Sequence, residues 1–284
     1  MNPLEQIVLA WQSLAYAFRQ LFRPRLWAPW WLLGVVQIGV VMSLWWFAHP
    51  ALSWLMAPLL YRLGGEDALH YPNVFRMIPS LYSTAELVIS ALLGSLAAGV
   101  ATALFASQLS RISASRPGGG FGRALRRALP VIVVNLPLNL LVIALALGLE
   151  TLVQSRASSV IVQRLAHVIA LGGALLLQAF FIYGTALVVL GGRSVREALA
   201  ELPRAAVNGY WAALFLGLIA ILPSLPLQEL ARHTNVIVDR GSPELVGWLA
   251  VTQIALALLT SFLLTGSVTV VYQGAVAPRL ASDE

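Results

Sequence analysis

The 284-residue sequence contains no cysteine and no lysine, and only 11% of its residues are charged. Without cysteine, the chain has no disulfide, no thiolate-bound zinc and no iron–sulfur cluster. The low charge excludes an ordinary soluble domain, in which about a quarter of the residues are charged. Apolar residues take the place of the missing charge, since 59% of the chain is hydrophobic. These counts predict an integral membrane protein, because a soluble domain of this size has no means of burying so much apolar surface.

Long uncharged windows between the few charges indicate six membrane spans. Each window exceeds the about 20 residues that a helix needs to cross a hydrocarbon core of ~30 Å. We predict an all-α fold, a polytopic membrane helical bundle that forms a single membrane domain over residues 1–284. The spans are predicted at about 28–48, 82–108, 129–149, 166–190, 207–228 and 245–274.

The arginines predict the orientation of the spans. If the N-terminus lies inside the cell, the inner segments hold twelve of the 18 basic residues and the outer loops hold the other six. This positive-inside bias predicts that both termini are cytoplasmic, and we expect a multi-pass protein of the bacterial cytoplasmic (inner) membrane. The inner excess of positive charge favours the lipid bilayer and its anionic phospholipid headgroups as partners over nucleic acid.

Residues 2–22 are predicted to form an amphipathic helix. Apolar residues recur in this segment at helical spacing, opposite polar residues that include Gln6 and Ser13. Asn2 is expected to cap the start of the helix and Pro24 to end it. Two arrangements fit the pattern: the helix lies in the headgroup plane with its apolar face in lipid, or it docks on the protein's own bundle.

Two short segments, before the third and the fifth span, have similar sequences. Residues 121–130 and 195–203 each contain arginine, then Ala-Leu, then Leu-Pro, and each segment follows glycines. Together with the N-terminal helix they predict three units, each made of an interfacial helix, a span outward and a span back. The chain is therefore a possible threefold helix-hairpin repeat.

The segment GGRSVREALAELPRAAVNGYW, residues 191–211, resembles the loop before the last helix pair of a six-span bacterial family. That family is the membrane domain fused to some glycerophosphoryl diester phosphodiesterases, together with stand-alone relatives. Residues 121–130 are similar to the corresponding earlier loop, and the resemblance extends over roughly residues 110–284. It implies the six-span architecture. Because the soluble catalytic domain has no counterpart in this sequence, the resemblance implies no phosphodiesterase activity.

Four residues within the predicted spans form a candidate polar site. Glu86 is the one acid predicted within a span, where a carboxylate is costly and often functional, although near the outer end of its helix it is also within reach of water or Arg76. Asn135 and Asn139 share a helical face on either side of Pro137. Such a broken, polar helix is typical of transporter substrate sites, but asparagines also hydrogen-bond neighbouring helices.

Five arginines between the second and third spans are candidate contacts for anionic lipid or an acidic partner, although membrane topology also accounts for them. They are Arg111, Arg116, Arg123, Arg126 and Arg127. Metalloprotease and serine hydrolase motifs are absent from the sequence, so we predict no catalytic residue, no metal site and no cofactor.

These features predict a non-enzymatic accessory or scaffold protein that organises lipids or partner membrane proteins, including copies of itself. The alternative is a small-solute or lipid transporter or channel that uses the proline-broken third span.

Overall fold

The computed structural model describes residues 2–112, 122, 125–156 and 160–282. The described residues are 90% helical, and none of them lies in a β-strand. This confirms the predicted all-α fold. Six helical segments among them are long and apolar enough to cross a membrane, so the chain is a multi-pass membrane protein.

The α-helices are numbered here in chain order over the described residues. They are α1 (Pro3–Arg19), α2 (Pro24–Trp45), α3 (Pro50–Gly64), α4 (Asn73–Ile89), α5 (Ser95–Ile112), α6 (Ala128–Arg156), α7 (Val160–Phe181), α8 (Gly184–Val189), α9 (Val195–Ile221), α10 (Leu225–Arg232), α11 (Thr234–Arg240), α12 (Glu244–Val271) and α13 (Ala277–Ser282). The candidate spans are Pro24–Trp45, Asn73–Leu109, Ala128–Leu145, Val168–Val189, Val195–Arg232 and Glu244–Ala281.

Two spans extend well before their predicted starts because helices join without a break. The second span begins at Asn73, and a π-turn at Ser90–Gly94 links α4 to α5 within it. The fifth span begins at Val195, so the predicted interfacial segment 195–203 is the first part of α9. Its corresponding segment, residues 121–130, is described at 122 and 125–130, and α6 begins within it at Ala128.

The chain divides into two compact units. Unit 1 comprises Met1–Pro29, Ala91–Ala220 and Phe262–Glu284, and unit 2 comprises Trp30–Ser90 and Ile221–Ser261.

The core of unit 1 contains many small side chains. Its buried alanines and glycines allow helices to approach closely, as in other membrane bundles. These buried alanines include Ala10, Ala103, Ala179, Ala186, Ala198, Ala205, Ala212 and Ala213. Tyr183 is the largest side chain fully buried in this core, and its ring lies 6.5 Å from that of Tyr272.

The core of unit 2 contains larger aliphatic and aromatic residues. It includes Val41 and Leu44 of α2, Ile78 and Tyr82 of α4, and Ile254 of α12. The ring of Trp45 packs edge-on against two other aromatic rings, in the geometry that aromatic pairs prefer. These are Phe75, at 6.3 Å between ring centroids, and Trp248, at 6.2 Å.

Candidate functional site

Helix α1 packs on the rest of unit 1 through its small and polar residues. The start of the helix is the predicted one, with Asn2 Oδ1 accepting a hydrogen bond from the backbone N–H of Leu4 at 3.2 Å. The buried residues recur every three or four positions, so they form one stripe along the helix. They are Gln6 (6% exposed) and Ala10, Ser13 and Ala17 (each 0% exposed).

Three contacts fix this helix and the turn after it to the rest of unit 1. Gln6 Oε1 accepts a hydrogen bond from the backbone N–H of Trp211 at 3.1 Å. Arg23 Nη1 donates to Gln108 Oε1 at 2.8 Å. Ala17 packs so closely on Gly266 that a β-carbon there would lie 3.1 Å from the Ala17 methyl group.

Five large apolar residues of the N-terminal segment are exposed, although the ring of Trp11 also packs edge-on against Phe215 of α9, at 6.4 Å between ring centroids. Leu4 is 69% exposed, Trp11 60%, Phe18 57% and Phe22 89%. With Val8 we call them the outward apolar face. Of the two arrangements considered for this helix, the structure shows docking on the protein itself, through the small and polar face. Contact of the exposed apolar residues with lipid stays a prediction, and exposed apolar surface of this kind is typical of contacts with lipid or another protein.

Tyr16 lies half-buried on α1, and burial raises the pKa of its hydroxyl, an effect that the charge of Arg23 opposes. The phenol is thus neutral at physiological pH.

A bend in α9 lies next to the contact with α1. Gly209 has non-helical backbone angles (φ −133°, ψ 19°), and its carbonyl oxygen accepts a hydrogen bond from the hydroxyl of Tyr183 at 2.9 Å. The Tyr183 ring occupies the space that a β-carbon at residue 209 would need. The close approach of the Tyr183 ring therefore depends on glycine at position 209. The bend lies just before Trp211, whose N–H bonds to Gln6.

The five predicted lipid-contact arginines differ in their surroundings. Arg127 Nη1 donates to the backbone oxygen of Val188 at 2.5 Å, at the C-terminal end of α8, where a cation balances the helix dipole. Arg126 is exposed. Arg116, Arg123 and the side chain of Arg111 lie outside the described residues.

Asn135 of α6, the helix that contains Pro137, links α6 to α8. Asn135 Nδ2 donates to Thr185 Oγ1 of α8 at 3.0 Å and to the backbone oxygen of Val131 at 2.9 Å. Both amide hydrogens therefore have acceptors. Asn139 lies one turn further along α6 and is half-buried, and α6 continues through Pro137.

Glu86 belongs to unit 2, whereas Asn135, Pro137 and Asn139 belong to unit 1. Arg76, its suggested partner, forms an ion pair with Asp239 of α11 instead. Within the described part of the chain, Glu86 has no ion pair.

Two buried side chains of unit 2 carry oxygens without a hydrogen-bond partner among the described residues. They are Gln37 Oε1 on α2 and the hydroxyl of Tyr82 on α4, in residues that are 2% and 3% exposed. Tyr82 lies one helical turn before Glu86, on the same face of α4. Neither residue was predicted from the sequence as part of a site. The signal that could have indicated them is that Gln37 and Tyr82 lie on the same helical faces as the apolar core residues.

No family model, curated protein or solved structure matches the chain. Over the ranges that the structure describes, no group of three or more His, Asp or Glu side chains is placed to hold a metal ion. The function is therefore inferred from the geometry of the chain itself.

Proposed function

We propose that the protein is a non-enzymatic accessory or scaffold protein of the bacterial inner membrane that organises anionic lipids or partner membrane proteins. The outward apolar face is the observation that carries this proposal. A helix that packs through alanine, serine and glutamine while exposing tryptophan and phenylalanine is suited to contact apolar material outside its own unit.

Positive charge next to the outward apolar face favours anionic lipid as its partner. Arg19 and Arg25 are both exposed and lie beside Phe22 in the chain. Aromatic residues suit the boundary between headgroups and acyl chains, and exposed arginines there attract phosphate groups. With the N-terminus cytoplasmic, as the arginine distribution predicts, this face lies at the inner leaflet, where anionic lipids add to the attraction.

The competing transporter function draws less support. The Asn135 amide hydrogens are both occupied by protein oxygens, as expected of a residue that joins helices. The resemblance to the membrane domain of the phosphodiesterase family supports a proposal about the six-span architecture and implies no activity.

Lipid retention tests the scaffold function. The protein, purified in mild detergent, is analysed by native mass spectrometry after addition of phosphatidylglycerol. We expect bound phosphatidylglycerol with the wild type and a clear loss with Trp11→Ser combined with Phe18→Ser. The matched control replaces Trp54 and Leu55, exposed apolar residues of α3, with serine and keeps the lipid. A wild-type protein that carries neither lipid nor a stoichiometric partner contradicts the proposal.

Orientation is tested separately. A reporter fused after Glu284 is expected to be active only in the cytoplasm. Activity on the other side of the membrane contradicts the predicted topology.

A further inference from the structure

We infer that Gln37, Tyr82 and Glu86 of unit 2 form a binding site for a small monovalent metal cation within the membrane. We call these three residues the α2–α4 polar site. The inference is independent of the lipid contact proposed for α1.

Buried oxygens without donors are the first observation. Gln37 and Tyr82 are almost fully enclosed, yet Gln37 Oε1 and the Tyr82 hydroxyl oxygen have no hydrogen-bond partner among the described residues. A buried polar atom left without a partner costs about 1–3 kcal/mol, so such atoms in a native protein normally serve a structural water, an ion or a ligand.

The order of the spans places these residues at a similar depth. The helices α2 and α4 belong to consecutive membrane spans, which cross the membrane in opposite directions, and Trp45 at the end of α2 contacts Phe75 near the start of α4. Gln37 precedes Trp45 by about 12 Å of helix and Tyr82 follows Phe75 by about 10 Å, from the rise of 1.5 Å per residue.

The shared core supports this register. Val41 lies one turn from Gln37 on the same face of α2, and it packs in the same core as Tyr82. Glu86 lies one turn beyond Tyr82, and one turn before the π-turn that begins at Ser90. Turns of this kind occur frequently at functional sites.

The chemistry of the three groups selects a cation. Each has an oxygen able to accept or coordinate, and Glu86 adds a negative charge that no basic side chain of the described residues pairs with. A carboxyl group in the low-dielectric interior of a membrane either takes up a proton or is compensated by a positive charge, and the two unpartnered buried oxygens favour a bound cation here. Oxygen groups on interrupted membrane helices coordinate sodium in transporters, and sodium is the cation used in the test.

Direct binding of radioactive Na⁺ to the purified full chain in detergent tests the site. We expect saturable binding by the wild type, and a loss of affinity of at least about tenfold, the equivalent of 1.4 kcal/mol, for Glu86→Gln. Gln37→Leu and Tyr82→Phe are each expected to weaken binding. Glu229→Gln, which alters an exposed acid of the same unit, is the matched control and binds as the wild type does.

Protein melting gives a second readout. The nine tryptophans report unfolding by their fluorescence. Sodium chloride, compared with N-methylglucamine chloride at equal ionic strength, is expected to raise the melting temperature of the wild type but not of Glu86→Gln. If Glu86→Gln does not fold, Tyr82→Phe serves in its place, because it removes only a hydroxyl group.

Three results overturn the inference. The first is the absence of saturable Na⁺ binding by the wild type. The second is equal binding by the wild type and the folded site variants. The third is a melting temperature that responds through Glu86 to pH but not to Na⁺, which identifies a proton site instead.

Discussion

The backbone N–H of Trp211 donates a hydrogen bond to Gln6 Oε1 at 3.1 Å, joining residues 205 positions apart in the chain. Gln6 comes from the first helix and Trp211 follows the bend at Gly209 in α9. The N-terminal helix is therefore attached to the one place in α9 where the backbone departs from regular helix. A side chain that satisfies the backbone beside a bend is a recognised cause of such irregularities.

Replacement of Gln6 by methionine is expected to loosen α1. Methionine keeps the length of the side chain but offers no strong acceptor, so the part-buried N–H of Trp211 loses its partner, at a cost of about 1 kcal/mol. Hydrogen exchange measured by mass spectrometry is expected to become faster in α1. The matched control is Gln12→Met, since Gln12 is exposed on the same helix. Equal exchange in both variants contradicts a holding role for Gln6.

Alanine at Gly209 is expected to destabilise the protein. The added methyl group has no space beside the Tyr183 ring, and overpacking of this kind costs about 1–3 kcal/mol. Unfolding by sodium dodecyl sulfate in mixed micelles measures the loss. Gly39→Ala is the control, because Gly39 of α2 has open space around it, and helix propensity there favours alanine by about 1 kcal/mol. A Gly209→Ala variant as stable as Gly39→Ala shows that the Tyr183 ring does not restrict the side chain at position 209.

The Asn135–Thr185 hydrogen bond is expected to contribute modestly to stability. A double-mutant cycle with Asn135→Leu and Thr185→Val isolates the pair, and hydrogen bonds between membrane helices average about 0.6 kcal/mol in such cycles. Additive effects of the two changes contradict the pairing. If instead Asn135→Leu abolishes transport of a solute while the fold is kept, the protein is a transporter rather than a scaffold.

The ion pair between Arg76 and Asp239 is expected to matter little to stability. Both side chains are substantially exposed, at 41% and 55%, and exposed pairs contribute less than about 1 kcal/mol. Arg76→Gln is expected to lower the melting temperature slightly at low salt, with the difference from the wild type decreasing as salt is added. A large, salt-independent loss shows that Arg76 has another role.

Much of the architecture was predictable because the signals are local. Runs of apolar residues between charges predict spans, and the spacing within residues 2–22 predicts an amphipathic helix with Asn2 as its cap. The contacts of the candidate site residues were harder to predict from the sequence. The partners Thr185 for Asn135 and Asp239 for Arg76 lie far away in the sequence, and no local pattern connects them.

The sequence by itself determined the class of the protein: few charges, no cysteine and long apolar runs make an all-α chain with six candidate spans. The tertiary structure alone decided which face of each helix packs on protein. For α1 that is the face with Gln6, Ala10, Ser13 and Ala17, and the large apolar residues Leu4, Trp11 and Phe18 stay more than half exposed. The physical reason is that lipid and protein interior are similarly apolar, so hydrophobicity does not distinguish them. Close packing does, and it favours small side chains at the helix contacts.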